Sequence, residues 1–462
     1  MTKFTRYTMT LKKMILRLLF GTASLWLAAS AHADAVVDWN QRANAAAVAA
    51  CIVPGENPLH ESRLYAMVHL AIHDALNAIQ RRSRPYAYNA KARSGTSSDA
   101  AVAASARDVL VSQIPLSGVP PECVAAGVAR VEADYAAALQ TIPEGTAKTQ
   151  GVNLGQAAAA AIIALRAHDG SDTKLVDPDF PQGTALGQWR FTPGSPPIAF
   201  APDWGKVKTF ALRDAQQFQP EPPLPVRCDV QRMRQDDGCQ RYAADVEEVR
   251  RLGGDGVGTA TARSADQTEI ALFWMESSPS AWNRIARNVT TRRRLEPWQN
   301  ARLFALLNVA QADGYIASWA AKFHYRFWRP ITAIREAAVD GNPGTTAEPN
   351  WMSLRPTPPV PDYESAHAVQ GAAAAEVMKQ VFAHNHVLFS ACSLSLPNGN
   401  RCSDESPVLR TFRSFDEAAA ENGASRVYIG FHFRDAVDKG LVRGRQIAHW
   451  TVEHTLQPQR ER

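Results

Sequence analysis

The chain has 462 residues, 45% of them hydrophobic and 21% charged, with 50 Lys and Arg against 45 Asp and Glu. These proportions exclude a disordered or collagen-like chain, and the length allows more than one packed core. The net charge of +5 is mild and spread along the chain, which excludes a nucleic-acid-binding stripe and suits an anionic small-molecule substrate.

In chain order, a basic leader (Lys3, Arg6, Lys12, Lys13, Arg17) precedes an apolar run from Leu18 to Ala29, and Ala31-His32-Ala33 supplies a small-x-small cleavage pattern. Residues 1–33 therefore read as a cleavable signal peptide, with the mature protein starting at Asp34 in the periplasm or outside the cell. The run is short for a bilayer span, and no later segment is apolar for long enough to make a stable one. Six cysteines fit an exported chain. Cys228 and Cys239 flank one short polar loop and Cys392 and Cys402 another, and proximity then leaves Cys51 for Cys123. The chain has no Cys-x2-Cys pair and no mixed Cys/His cluster of the kind a structural zinc site needs.

Helix-period patterning dominates the remainder. Ser62 to Ile79 repeats apolar residues every three or four positions, and Ala100 to Ile114, Ala125 to Ile142 and Gly151 to His168 continue in an alanine-rich style. Alanine at contact positions lets helices approach closely, as in a bundle. From Asp177 to Cys228, Pro-Gly and Pro-Pro steps predict an irregular connection lying over the bundle near the site entrance. Helices are expected again at Ser264 to Met275, from Pro297 to about Trp328, at Ser365 to Phe382, at Ser414 to Asn422 and at Ala424 to His454. A proline-rich loop between Gly341 and Pro361 delivers the chain to Ser365. The expectation is an all-α protein of two helical bundles: an N-terminal helical region over 34–250 and a catalytic helical domain over 251–462.

The second half carries the chemistry. Lys322 and Arg329 lie two helical turns apart, on one face if the helix runs through Trp328, with Phe323, Tyr325, Phe327 and Trp328 interleaved. That face is too apolar for a solvated stripe, and buried cations need an anion. Ser365 opens an alanine-rich helix, either as its N-cap or beside an anion held by the free N–H groups of the helix start. His367 falls in the first turn, placed for proton exchange. Arg426 and His432 lie on a third helical segment with Gly430 between them, and Asp435 or Asp438 is placed to hold the His432 ring nitrogen opposite the anion. A neutral His432 is suited to attack phosphorus or to coordinate a metal oxoanion. His69 and His73 have metal-ligand spacing on a helix, but Leu70 stands where a zinc protease needs glutamate, so they read as core residues. His384-Asn-His386 reads as a helix end.

In order, Lys322-x6-Arg329-Pro330, Ser365-Ala366-His367 and Ser425-Arg426-x5-His432 resemble the signature of the vanadium-dependent haloperoxidase and type 2 phosphatidic acid phosphatase superfamily. Trp319-Ala-Ala-Lys322, Phe327-Trp-Arg-Pro330 and Thr357 to His367 look like the vanadium chloroperoxidase version, and the likeness covers about Pro297 to Gly444. The resemblance implies that Lys322, Arg329, Ser365, Arg426 and the Ala366 amide bind the oxygens of vanadate or phosphate. It makes His432 the apical ligand of vanadate or a phosphatase nucleophile, and His367 the acid–base group. As a haloperoxidase the chain would use vanadate, peroxide and halide, with Lys322 polarising the peroxide and vanadium acting as a Lewis acid. As a soluble acid phosphatase it would act on a phosphomonoester with no metal, through a phosphohistidine. A third alternative is a non-catalytic phosphate- or vanadate-binding protein. The chain departs from the pattern in four places: Ala366 stands for glycine, Glu364 for proline, and Ala436 for the acid four residues after the apical histidine. Val360 stands where the halide pocket has an aromatic or histidine, with Trp319 as the other pocket residue.

Overall fold

The structure, a computed structural model, describes residues 34–53 and 57–459. The expected signal peptide over 1–33 lies outside the described residues. From Ala35 onward the described residues pack as one unit built from helices, with only two short antiparallel ribbons among them.

The first bundle comprises α1 (Ala35–Ala49), α2 (Pro58–Gln80), α3 (Ser98–Gln113), α4 (Pro121–Gln140) and α5 (Thr146–Arg166). Local chemistry sets several of its boundaries. Asn57 caps α2 by accepting the His60 amide, Pro58 supplies the fixed φ of a first turn, and Ser97 caps α3 through the Ala100 amide. α2 is buried along nearly its whole length. His69 and His73 lie within that buried helix as core residues. His69 Nε2 is 2.8 Å from the Asn40 amide nitrogen, and His73 sits between Asp74 (3.0 Å) and Ser83 (2.7 Å).

The stretch from 167 to 229 is irregular, as its prolines predict. It contains only the ribbon β1 (Val176–Asp177) and β2 (Ala199–Phe200) and one short 3-10 turn at Trp204–Lys206. Two aspartates pin this coil to the bundles from inside. Asp169 takes the Nε atoms of Arg63 and Arg166, both at 2.8 Å, and Asp313 accepts the main-chain amides of Phe210, Ala211 and Leu212.

α6 (Val230–Gln235), α7 (Asp237–Leu252), α8 (Ala265–Phe273) and α9 (Ser278–Arg293) lead into the second bundle. Its centre is α10 (Pro297–Tyr325), which packs on α2 of the first bundle on one side and on α12 (Ala366–Phe382) on the other. α11 (Pro330–Glu336) follows α10, and the ribbon β3 (Phe389–Ala391) with β4 (Arg410–Phe412) precedes α13 (Phe415–Tyr428) and α14 (Arg434–His454). α12 and α14 approach very closely because glycines face alanines: a Cβ at Gly444 would lie 2.2 Å from the Val369 carbonyl oxygen and 2.8 Å from the Ala372 methyl. Disulfides join Cys51 to Cys123, Cys228 to Cys239 and Cys392 to Cys402, as proximity in the chain predicts.

Two helix boundaries differ from expectation, and both matter to the site. α10 does not run through Trp328: it ends at Tyr325, with Arg326 in the left-handed region (φ 48°) as its cap. Arg329 then lies in extended backbone as the cap of α11, so Lys322 and Arg329 converge across a turn and do not share one helix face. The segment around Gly430 is not helical either. Gly430 (φ 84°) breaks the chain between α13 and α14 because a Cβ there would meet the Gly253 carbonyl oxygen at 2.6 Å and Trp351 at 2.9 Å. His432 therefore sits in a short connection after Arg426, which closes α13.

Candidate active site

Three chain segments meet at the end of the second bundle. α10 carries Trp319 and Lys322, the proline-rich loop and start of α12 carry Val360, Ser365, Ala366 and His367, and the end of α13 with its following turn carries Arg426 and His432. Arg329 arrives from the α10–α11 turn. All of these residues except Ser365 line one cavity of about 550 Å³, and Pro196, Ile198 and Phe200 from the irregular segment also line it.

The cations are held by main-chain carbonyls. Lys322 Nζ donates to the carbonyls of Pro361 (2.9 Å) and Asp362 (2.8 Å). Arg329 donates from Nε to the Val360 carbonyl (2.7 Å) and from one terminal nitrogen to the Phe431 carbonyl (2.8 Å). Arg426 donates to the Trp274 carbonyl at 3.0 Å and lies over the Phe431 ring. Neutral carbonyls orient these groups without cancelling their charge. All three side chains are almost fully buried.

Carboxylates offset little of that charge. Glu364, next to the site in sequence, is paired with Arg443 at 2.7 Å, and Arg443 also donates to the carbonyls of Ala317 and Ala215. Glu364 thus braces α12 against α14, and its charge is already matched. Glu364 also pulls on Lys322, but Asp362 is the carboxyl that acts on both Lys322 and Arg329, and it is pushed up to about 7 by burial against their pull. Burial, with Arg329 as the nearest like charge, drives Lys322 well below the ordinary lysine range and Arg426 down to about 9. Three buried cations facing one carboxylate are electrostatically incomplete without an anion.

The hydrogen-bonding census points the same way. Ser365 occupies the N-cap position of α12 yet makes no capping bond, and its Oγ is buried without a partner. Arg426 Nε is likewise buried and unpartnered. Buried donors in that state are rare in native proteins and call for a ligand. The first amides of α12, beginning at Ala366, have no acceptor within their own helix. Guanidinium and ammonium groups lining one cavity with Ala366, next to the buried Ser365 hydroxyl, are a donor set that fits a tetrahedral oxyanion such as vanadate or phosphate.

The two histidines complete the site. His432 lies 3.1 Å from an Arg329 nitrogen through Nε2 and 2.9 Å from Asp362 Oδ1 through Nδ1. Burial and the surrounding cations Arg329, Lys322 and Arg426 hold its imidazole well below the ordinary range, so it is neutral. His367 reaches Ser278 Oγ with Nδ1 at 3.4 Å and is lowered by burial, Arg426 and Lys322. Asp435, one of the two acids expected at His432, turns to Arg241 at 2.5 Å, and Asp438 is exposed. The carboxylate at the imidazole is Asp362, which the sequence reading missed. Its one signal was an acid inserted in a proline-rich approach. Trp319 lines the cavity and donates to the Phe200 carbonyl, and Val360 lines the same space. No group of three or more His, Cys, Asp or Glu that could hold a bare metal ion occurs among the described residues.

Fold and site together define a helical-bundle protein with an oxyanion pocket at the end of its second bundle. Residues 302–461 match the family model of the VCPO second helical-bundle domain. Vanadium chloroperoxidase of Curvularia inaequalis is 27% identical over 312 residues, which is 56% of this chain and 48% of that protein, so the match spans about half of the curated relative. The crystal structure of the first bacterial vanadium-dependent iodoperoxidase superposes with a TM-score of 0.73 at 21% identity, covering 93% of this chain and 98% of the other. Holo-type bacterial vanadium-dependent chloroperoxidase superposes at 0.63 with 16% identity, covering 87% and 93%. The second bundle is thus similar to the VCPO second helical-bundle domain, and the solved structures show that the chain has their two-bundle fold.

Proposed function

We propose that the chain is a vanadium-dependent haloperoxidase-like enzyme, acting outside the cytoplasm, that oxidises halide with hydrogen peroxide. The observation that carries the reading is the set of almost fully buried cations Lys322, Arg329 and Arg426 lining one cavity with His432 and Trp319, beside the buried and unpartnered Ser365 Oγ. Bound vanadate would supply a Lewis-acidic centre that activates peroxide towards halide. The chain's own residues do the rest. Lys322, Arg329, Arg426, Ser365 Oγ and the Ala366 amide fix the oxyanion oxygens and offset their charge. His432 Nε2 would hold the vanadium of a bound vanadate. His367, tethered through Nδ1 to Ser278, moves a proton at Nε2. The aromatic and proline walls lower the polarity around the donors, which strengthens each of these interactions.

The same donors fit phosphate, with His432 as a free nucleophile, and one experiment separates the readings. The purified protein is given bromide and hydrogen peroxide before and after addition of orthovanadate, and separately p-nitrophenyl phosphate. Halide oxidation that appears only with vanadate is expected. Phosphate release inhibited by vanadate would instead make it an acid phosphatase, and binding of either anion without turnover would make it a binding protein. His432→Ala is expected to abolish whichever turnover is found; retained activity would sink the assignment of His432.

A further inference from the structure

We infer that Asp362, in the loop that also anchors Lys322 and Arg329, is the positioning residue that sets the tautomer of His432 and keeps Nε2 free for the oxyanion. The inference rests on the proposed role of His432, and it begins from the neighbours of the ring. Arg329 places a terminal guanidinium nitrogen 3.1 Å from His432 Nε2, against 3.5 Å from Nδ1. A guanidinium only donates hydrogen bonds, so Nε2 is the lone-pair nitrogen and the single ring proton belongs on Nδ1. Nδ1 in turn faces Asp362 Oδ1 at 2.9 Å, an acceptor that favours a proton there.

The contact is at ion-pair distance without hydrogen-bond alignment, since both Asp362 oxygens lack an aligned partner, although the Phe433 amide is a further neighbour. Other acids are committed elsewhere. Asp435 pairs with Arg241 and its amide donates to Asp245, Asp438 is exposed, Glu364 pairs with Arg443, and residue 436 is an alanine. Asp362 is itself fixed at both main-chain ends. Its amide donates to the Phe327 carbonyl (2.9 Å) and its carbonyl accepts Lys322 Nζ (2.8 Å). One residue therefore orients the lysine through its backbone and the histidine through its side chain.

The test is ring-nitrogen NMR on full-length protein labelled with ¹⁵N-histidine, first without any oxyanion, in the wild type and in Asp362→Asn, with Asp435→Asn as control. The wild-type His432 is expected to carry its proton on Nδ1. Asp362→Asn, whose amide can donate to Nδ1, is expected to shift the ring towards the Nε2–H form and to weaken orthovanadate binding about ten- to hundredfold in calorimetry, as loss of a ligand-orienting partner does. Asp435→Asn should leave both readouts at wild-type values. A wild-type proton on Nε2 overturns the inference without recourse to any variant, so a poorly folding Asp362→Asn does not protect it. An unchanged tautomer in folded Asp362→Asn overturns it too. If the wild type binds no vanadate, the proposed function fails, while the tautomer measurement still decides the role of Asp362.

Discussion

Ser365 stands where a helix cap belongs and does not cap. Its hydroxyl makes no bond within the protein, so removing it should change the fold little and the ligand a great deal. Ser365→Ala is expected to lower orthovanadate affinity about ten- to hundredfold, the worth of one hydrogen bond to a charged acceptor, with the melting temperature nearly unchanged. Titration calorimetry and a thermal melt on the same sample check both halves. At this scale the sequence was informative because the chemistry is concentrated in residue types: an arginine, a lysine and a serine at these spacings have few other uses. Asp362 escaped because nothing local marks it. Its proximity to His432 exists only after the loop has folded back over α10, whereas Asp435, three residues from His432, looked better placed and is turned away towards Arg241.

The elements that carry these residues are positioned by close packing of small side chains. Gly440 and Gly444 of α14 lie against Ser365, Val369 and the alanines of α12, with no space for a methyl group at either position. Gly444→Ala is expected to destabilise the protein by about 1–3 kcal/mol, as overpacking does, and to weaken oxyanion binding because α12 bears Ser365 and His367. Urea denaturation measures the first effect and calorimetry the second; an unchanged midpoint would refute the packing argument. The alanine-rich helices were legible from periodicity, and most of their ends fell within a few residues. The breaks that build the site were harder. Arg326 ends α10 in a left-handed conformation that an arginine does not advertise, and the non-helical turn at Gly430 lies inside an otherwise helical pattern.

Across the whole molecule, the bundles carry covalent and titratable features outside the anion cradle itself. Cys51–Cys123 spans 72 residues of the first bundle, and the double serine variant is expected to lose about 4 kcal/mol of stability in denaturant melts. Glu61, fully buried beside Ser277 on α2, is pushed up to about 8, by burial first and then by Glu276. Because the folded state holds this proton more tightly than the unfolded chain, the favourable contribution is complete below about pH 4.5 and is lost as pH rises through about 8. Glu61→Gln should flatten that part of the stability–pH curve, and a slope identical to wild type would exclude Glu61 as its source. The two-bundle class was legible from helix period alone. The way the irregular segment from 167 to 229 is held was not, since Asp169 and Asp313 act across long sequence separations through main-chain amides and arginines.

Val360 has two separate duties. Its carbonyl holds Arg329, and every amino acid brings that carbonyl; the residue also lines the cavity, where the character of the wall depends on which amino acid is chosen. The position is thus free to drift without dismantling the anion cradle. A lineage carrying this fold can therefore explore new reactants by changing the wall of the chamber while inheriting the cradle intact.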